Sequence, residues 1–154
     1  MSKKTEDNFP RQLRVLHDAL ISIVSAMNRP QRDAALIKAA GIHLDRALFP
    51  LLIVIERLGP IAVGDLADRV GRGYTTVSRQ VTKLESLRLV KSQASASDGR
   101  VREAVISPKG KAMTEMVDAA REKVGRAIFS SWNPRDFDEL VRLLRRFADE
   151  LKKP

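Results

Sequence analysis

Apolar residues keep a helical period on both sides of Gly71-Arg72-Gly73, yet a single helix cannot cheaply run through that tripeptide. Each glycine costs about 1 kcal/mol in a helix interior, so the chain must place two short helices with a sharp turn between them. Val63-Gly64-Asp65-Leu66-Ala67-Asp68-Arg69-Val70 reads as the first, with its apolar positions facing inward. Tyr74 to Glu85 reads as the second. A rotation of ~100° per residue collects Val77, Val81 and Leu84 on one face and turns Thr75, Arg79, Thr82 and Lys83 the other way. A helix pair that presents Thr, Arg and Lys outward can lay its second helix in the major groove of duplex DNA. There an arginine grips guanine through O6 and N7, and a threonine offers a hydroxyl or methyl to a base edge.

After Leu89 the period changes. Val90 to Ser95 and Val101 to Ile106 read as strands joined by Ala96-Ser97-Asp98-Gly99-Arg100, and an Asp-Gly between extended runs is a hairpin signal. This hairpin is a wing. Arg100 sits at its tip, where a long cation can enter a narrow minor groove, and Arg102 is a second wing cation. Asp98 and Gly99 shape the turn; Asp98 either pairs with a nearby arginine or acts as a turn former. Arg69, Arg72, Lys83, Lys91 and Arg102 are candidates for phosphate contacts, against the alternative of ordinary surface charge.

The flanks are helical. Phe9, Leu13, Leu16, Leu20, Ile23 and Met27 form one stripe of a helix that should stop near Asn28-Arg29-Pro30. Phe137, Leu140, Val141, Leu144, Phe147, Ala148 and Leu151 form another, after Asn133 as cap and Pro134 at the first helical position. Such stripes signal either an intramolecular helix pair or a helical bundle shared between subunits. Asp45 to Leu58 reads as a buried helix closed by Gly59-Pro60, and Ser107-Pro108 caps a helix from about Lys109 to Phe129. The expected fold is mostly α with a small β-hairpin wing (α+β). A winged helix-turn-helix occupies 46–108, and the helices of 9–45 and 109–152 form a dimerisation region.

Composition narrows the function classes. The net charge of +9 divides as +3 over residues 1–60, +5 over 61–111 and +1 over 112–154, so the excess is greatest around the glycine turn and hairpin. Aromatic residues are only 5%, which argues against a surface that stacks single-stranded bases and leaves duplex DNA as the polyanion. Without cysteine there is no thiol chemistry, and two isolated histidines, His17 and His43, are poor evidence for a metal site. Neither a phosphate-cradling glycine loop, a nucleophile elbow nor a His/Asp/Glu cluster is present, so no enzyme, metal or cofactor is expected. The longest apolar run, Leu48 to Ile55, is too short to span a membrane, and the polar start, Met1 to Asn8, lacks the apolar core of a secretory signal. A frayed N-terminus and a cytoplasmic location are the expectation. A sequence-independent architectural DNA binder and a winged-helix protein-interaction module are the rival readings; the latter should present apolar and aromatic residues where this helix presents Thr, Arg and Lys.

The stretch from Leu58 to Gly110 resembles the MarR (multiple antibiotic resistance regulator) family. The resemblance rests on Gly59-Pro60, DLADRV, TTVSRQVTKLE, Leu89-Val90 and Asp98-Gly99-Arg100 before a strand and a capped helix. It extends over the flanks, because members of that family interlock their terminal helices as homodimers. By matching position, it implies base contacts from Thr75, Thr76 and Arg79 and a minor-groove arginine at Arg100. It also implies a small aromatic or anionic effector bound between the dimer helices and the winged domain, where Arg14, His17, His43 and Arg46 are the groups placed to meet an anion. Two positions depart from the family pattern. Arg88 stands where glycine is common, at a cost of about 1 kcal/mol if the backbone there is left-handed. Ile106-Ser107 replaces Leu-Thr and keeps a hydroxyl cap.

Overall fold

A computed structural model describes residues 8–154. The polar stretch Met1 to Asp7 therefore lies outside the described residues. The chain divides into two units, one ending at Val117 and the other spanning Asp118–Pro154.

The first unit begins with α1 (Phe9–Met27) and α2 (Pro30–Ala40). Helix α1 stops at Asn28 as the sequence predicts, but α2 has no counterpart in that reading. Its low amphipathicity hides it, although Pro30 in its first turn and left-handed Gly41 after its last are ordinary boundary residues. Helix α3 (Phe49–Leu58) starts four residues later than expected. Proline lacks a backbone donor and fits only the first helical turn, so Pro50 sets the start. Asp45 instead forms a turn, its carboxylate accepting the Ala47 N–H at 2.7 Å.

Strand β1 (Ile61–Ala62), α4 (Val63–Val70), α5 (Tyr74–Ser86), β2 (Val90–Ala94), β3 (Arg102–Ile106) and the start of α6 (Pro108–Ile128) follow. The antiparallel sheet has the order β1-β3-β2, with Ile61 opposite Ala104, Val90 opposite Ile106 and Ala94 opposite Arg102. Two residues of β1 were too few to register as a period-two pattern. The core joins Leu51, Leu52 and Ile55 of α3, Val63, Leu66 and Ala67 of α4, and Val77, Val81 and Leu84 of α5 to Leu89, Val90 and Ala104. Each large side chain buried there contributes about 1.5–3 kcal/mol.

Helices α4 and α5 end in the same hydrogen-bond pattern. After α4, Gly71 (φ 67°) donates to the Asp68 carbonyl and Arg72 to that of Ala67. After α5, Arg88 (φ 61°) donates to Glu85 and Leu89 to Leu84. This arrangement needs a left-handed residue one place beyond the cap, which glycine adopts freely and arginine does not. Arg88 thus carries the strain that its departure from the family pattern suggested. The following turn is locked onto α6: the Ser107 hydroxyl donates to the Arg88 carbonyl at 2.6 Å and accepts the Gly110 N–H at 3.0 Å. Gly110 lies so close that an added Cβ would stand 2.1 Å from the Leu89 carbonyl oxygen.

In the second unit α6 ends and α7 (Pro134–Leu151) begins, with the Asn133 side chain accepting the Arg135 N–H at 2.9 Å. Phe129 meets Trp132 edge-on at 5.1 Å and Phe137 at 4.7 Å, closing the turn between the helices. No residue of α1 or α7 is buried.

Relief of the left-handed strain should make Arg88→Gly more stable by about 0.5–1 kcal/mol, read as a raised urea midpoint. Gly110→Ala should lose about 3 kcal/mol or more, because its methyl group would meet a backbone carbonyl. An unchanged midpoint in either variant contradicts the packing described.

Candidate nucleic-acid interface

The inward face of α5 is fully buried: Val77, Val81 and Leu84 have no exposed surface. That burial fixes the rotation of the helix and leaves Thr75, Thr76, Arg79, Thr82 and Lys83 exposed. Arg79 and Lys83 make no ion pair among the described residues, so both cations are available to a partner. Tyr74, in the first turn of α5, is 58% exposed beside these residues.

At the wing tip Asp98 uses its carboxylate to accept the Arg100 N–H at 3.1 Å, and its carbonyl accepts the Val101 N–H at 3.0 Å. Of the two roles left open for Asp98, this geometry is that of the turn former. Gly99 has neither a positive φ nor a neighbour within 4 Å of an added Cβ, so the turn does not require glycine there. Arg100 is exposed.

The other cations divide into exposed and engaged. Lys91 on β2 and Arg69 on α4 are exposed. Arg69 lines a groove with Asp65, Ser95, Ser97 and Glu103. Arg72 is tied down, donating from Nη1 to the Ala47 carbonyl at 2.6 Å and to Gln80 Oε1 at 3.0 Å. It anchors the interhelical turn to the segment before α3. Arg102 is bound more fully: Nε donates to Ser92 Oγ at 2.9 Å, Nη1 to Ser78 Oγ at 3.3 Å, and Nη2 to Thr82 Oγ1 at 3.3 Å and to Glu85. Thr82 in turn donates to the Ser78 carbonyl at 3.0 Å, so its hydroxyl is engaged as well.

Burial pushes the Glu85 carboxyl up, but hydrogen bonds from Ser92 and Arg102, with the Arg102 charge, outweigh it and hold the group below its ordinary value. Glu85 therefore stays ionised beside a surface rich in cations.

An open groove of about 740 Å³ is lined by Ala34, Ile37, Lys38, Gly41, Ile42, His43, Leu44 and Arg46. It brings together His43 and Arg46 of the four expected effector residues and adds Lys38. Arg14 and His17 lie exposed on α1 and do not line it. Among the described residues no three His, Asp or Glu side chains cluster as a metal site, and no helix is long and apolar enough to cross a membrane.

Residues 44–101 match the model of the MarR family. YxaD, an HTH-type transcriptional regulator of Bacillus subtilis (strain 168), is 28% identical over 104 residues, 68% of this chain and 73% of that protein. Among solved structures, a MarR family protein from Bacillus stearothermophilus is similar with a TM-score of 0.66 and 20% identity, covering 99% of both chains. The transcriptional regulator BldR from Sulfolobus solfataricus is similar with a TM-score of 0.64 and 20% identity, covering 97% of this chain and 99% of its own. These likenesses carry the shared fold, mostly helical with a small antiparallel sheet, well beyond residues 44–101.

Because its folded pKa is depressed, Glu85 adds stability that is fully present above its unfolded value and is lost as pH falls through the lower folded value. A carboxyl-carbon NMR titration should place its midpoint below that of free glutamate, and Arg102→Gln should move the midpoint upward. Coincident titrations in parent and variant would show that Arg102 does not hold the carboxylate.

Proposed function

We propose that this chain, a MarR-family winged-helix protein, is a sequence-specific regulator of transcription that binds a pseudo-palindromic operator in double-stranded DNA as a cytoplasmic homodimer. Helix α5 enters the major groove with Thr75, Thr76, Arg79 and Lys83, and the wing places Arg100 in the adjacent minor groove. Exposed Arg69 and Lys91 serve as phosphate contacts. The observation that carries this reading is the division of α5 itself: one face sealed in the core, and the opposite face cationic, exposed and, among the described residues, without ion pairs at Arg79 and Lys83.

One such helix reads too few bases for a genome, whereas a two-fold dimer doubles the site and spaces the half-sites about one helical turn apart. The surfaces for the dimer are the helices flanking 46–108. Phe9, Leu13, Leu16, Ile23 and Met27 on α1 and Phe137, Val141, Leu144 and Leu151 on α7 are all exposed, more apolar surface than a monomer ordinarily leaves in water. Repression is the simplest consequence of occupying an operator. A small aromatic or anionic effector in the groove of Lys38, His43 and Arg46 would relieve it, the cations meeting its charge and Ile37 and Leu44 its apolar part.

Arg79→Ala should cost about 1–3 kcal/mol on the best operator and blur one base position per half-site. Arg100→Ala should instead weaken the outer flanks in proportion to their A·T content. A preferred inverted repeat should exceed random duplex by ~10³ or more at physiological salt; equal affinity for all sequences would support the architectural reading. Sedimentation at micromolar concentration should show a dimer, and removal of residues 134–154 should abolish it together with operator binding. A folded full-length monomer would overturn the assembly.

A further inference from the structure

Arg102 stands at the outermost pair of the wing, opposite Ala94. The wing has little apolar material to hold it there: of the five residues of β2 only Val90 is buried, and of β3 only Ala104. Strand β1 supports β3 only as far as Glu103, beyond which the wing is a two-stranded hairpin, marginal in water, so its outer end needs another restraint. Arg102 supplies polar ones. Its partners Ser78, Thr82 and Glu85 are spaced four and three apart, a single stripe along α5, and Ser92 lies on the neighbouring strand. The Ser92 hydroxyl also donates to Glu85, which closes the network into a ring.

An arginine has five N–H donors, and the four bonds to Ser92, Ser78, Thr82 and Glu85 use four of them. Its side chain is 31% exposed and that of Glu85 32%, so the pair is partly shielded from water and salt. One N–H of Nη1 is left over, but a bidentate grip by a phosphate would have to break this network and leave the Glu85 carboxylate uncompensated beside the DNA.

We propose that Arg102 is a positioning residue that ties the wing to the recognition helix and so sets the spacing at which Arg79 and Arg100 meet one duplex, without contacting DNA itself. This rests on the DNA reading above for its consequence, though the tie itself is independent of it. A brace and a phosphate contact differ in measurable ways. Losing a phosphate contact weakens all duplexes alike and lowers the salt slope by about 0.9 for each arginine removed. Losing a brace leaves the number of contacts intact and weakens only the sequence that needs both arginines in register.

The test uses the full-length protein with a duplex selected by the parent from a random library and a scrambled duplex of equal length, each titrated at several salt concentrations. Amide hydrogen exchange over residues 90–106 is followed without DNA. Arg102→Gln and Glu85→Gln should each weaken the selected duplex about tenfold, keep the salt slope, and leave the scrambled duplex unchanged. The double variant should be no worse than either single one, because both remove the same interaction. The exchanged pair, Arg102→Glu with Glu85→Arg, should recover part of the preference. Wing amides should exchange faster in both single variants while those of α6 keep their protection, which separates a local brace from general unfolding.

A reduced slope with parallel loss on both duplexes, tighter binding by Glu85→Gln, or wing exchange equal to the parent would each overturn the proposal. Should the parent select no duplex at all, the operator reading fails, and wing exchange alone then supports or overturns the tie.

Discussion

Burial of Val77, Val81 and Leu84 against α3 and α4 determines nearly everything this chain can present to a partner. The three side chains leave α5 no rotational freedom, since turning the helix would exchange apolar burial for exposure at about 25 cal/mol per Å². The outward side is fixed as a consequence, and with it the directions of Thr75, Arg79 and Lys83. Gly71 makes this packing reachable, because its left-handed backbone ends α4 within one residue and lets α5 start after Gly73. Arg72 secures the same turn from the other side through the Ala47 carbonyl and Gln80.

A second set of contacts passes from α5 into α6. The strained turn at Arg88 is held by Ser107, Gly110 and Lys109, whose Nζ donates to the Leu87 carbonyl at 3.1 Å. Lys111 adds an ion pair from α6 to Glu56 on α3 at 2.6 Å. The end of α5 and the beginning of α6 are therefore one packed body. A ligand or partner that displaces the first turns of α6 would move the end of α5 with them, since the close approach at Gly110 leaves no slack.

The arginines of the middle segment show why a charge count is a weak guide to an interface. Arg79 and Arg100 face solvent, while Arg72 and Arg102 spend their donors on carbonyls, hydroxyls and a carboxylate. All four contribute equally to the +9 of the chain. Among the described residues Arg79 and Arg100 make no side-chain hydrogen bond, whereas Arg72 commits Nη1 and Arg102 four of its five N–H groups to holding the elements that carry the exposed pair. Glu85 belongs to the same division: an acid beside a cationic surface is tolerable because Arg102 neutralises it in place.

The sequence by itself determined the elements with strong periods or chemical punctuation. The stripes of α1 and α7, the glycine break between α4 and α5, the Asp-Gly turn and the Ser107 and Asn133 caps all act through neighbours a few residues away, and local chemistry is legible locally. It also indicated which face of α5 is buried, while the resemblance to the MarR family marked Arg88 as standing where glycine is common. Tertiary structure decided what depends on distant partners. Helix α2 and two-residue β1 were hidden because a weakly amphipathic helix and so short a strand leave no distinct pattern, and the start of α3 awaited the placement of Pro50. The difference between Arg100 and Arg102 could not be read at all: both are wing arginines two residues apart, and only the fold brings Ser78, Thr82 and Glu85, separated by up to 24 residues, within reach of one of them. A side chain's type is written in the sequence, but whether its donors are already taken is settled by what the folded chain brings beside it.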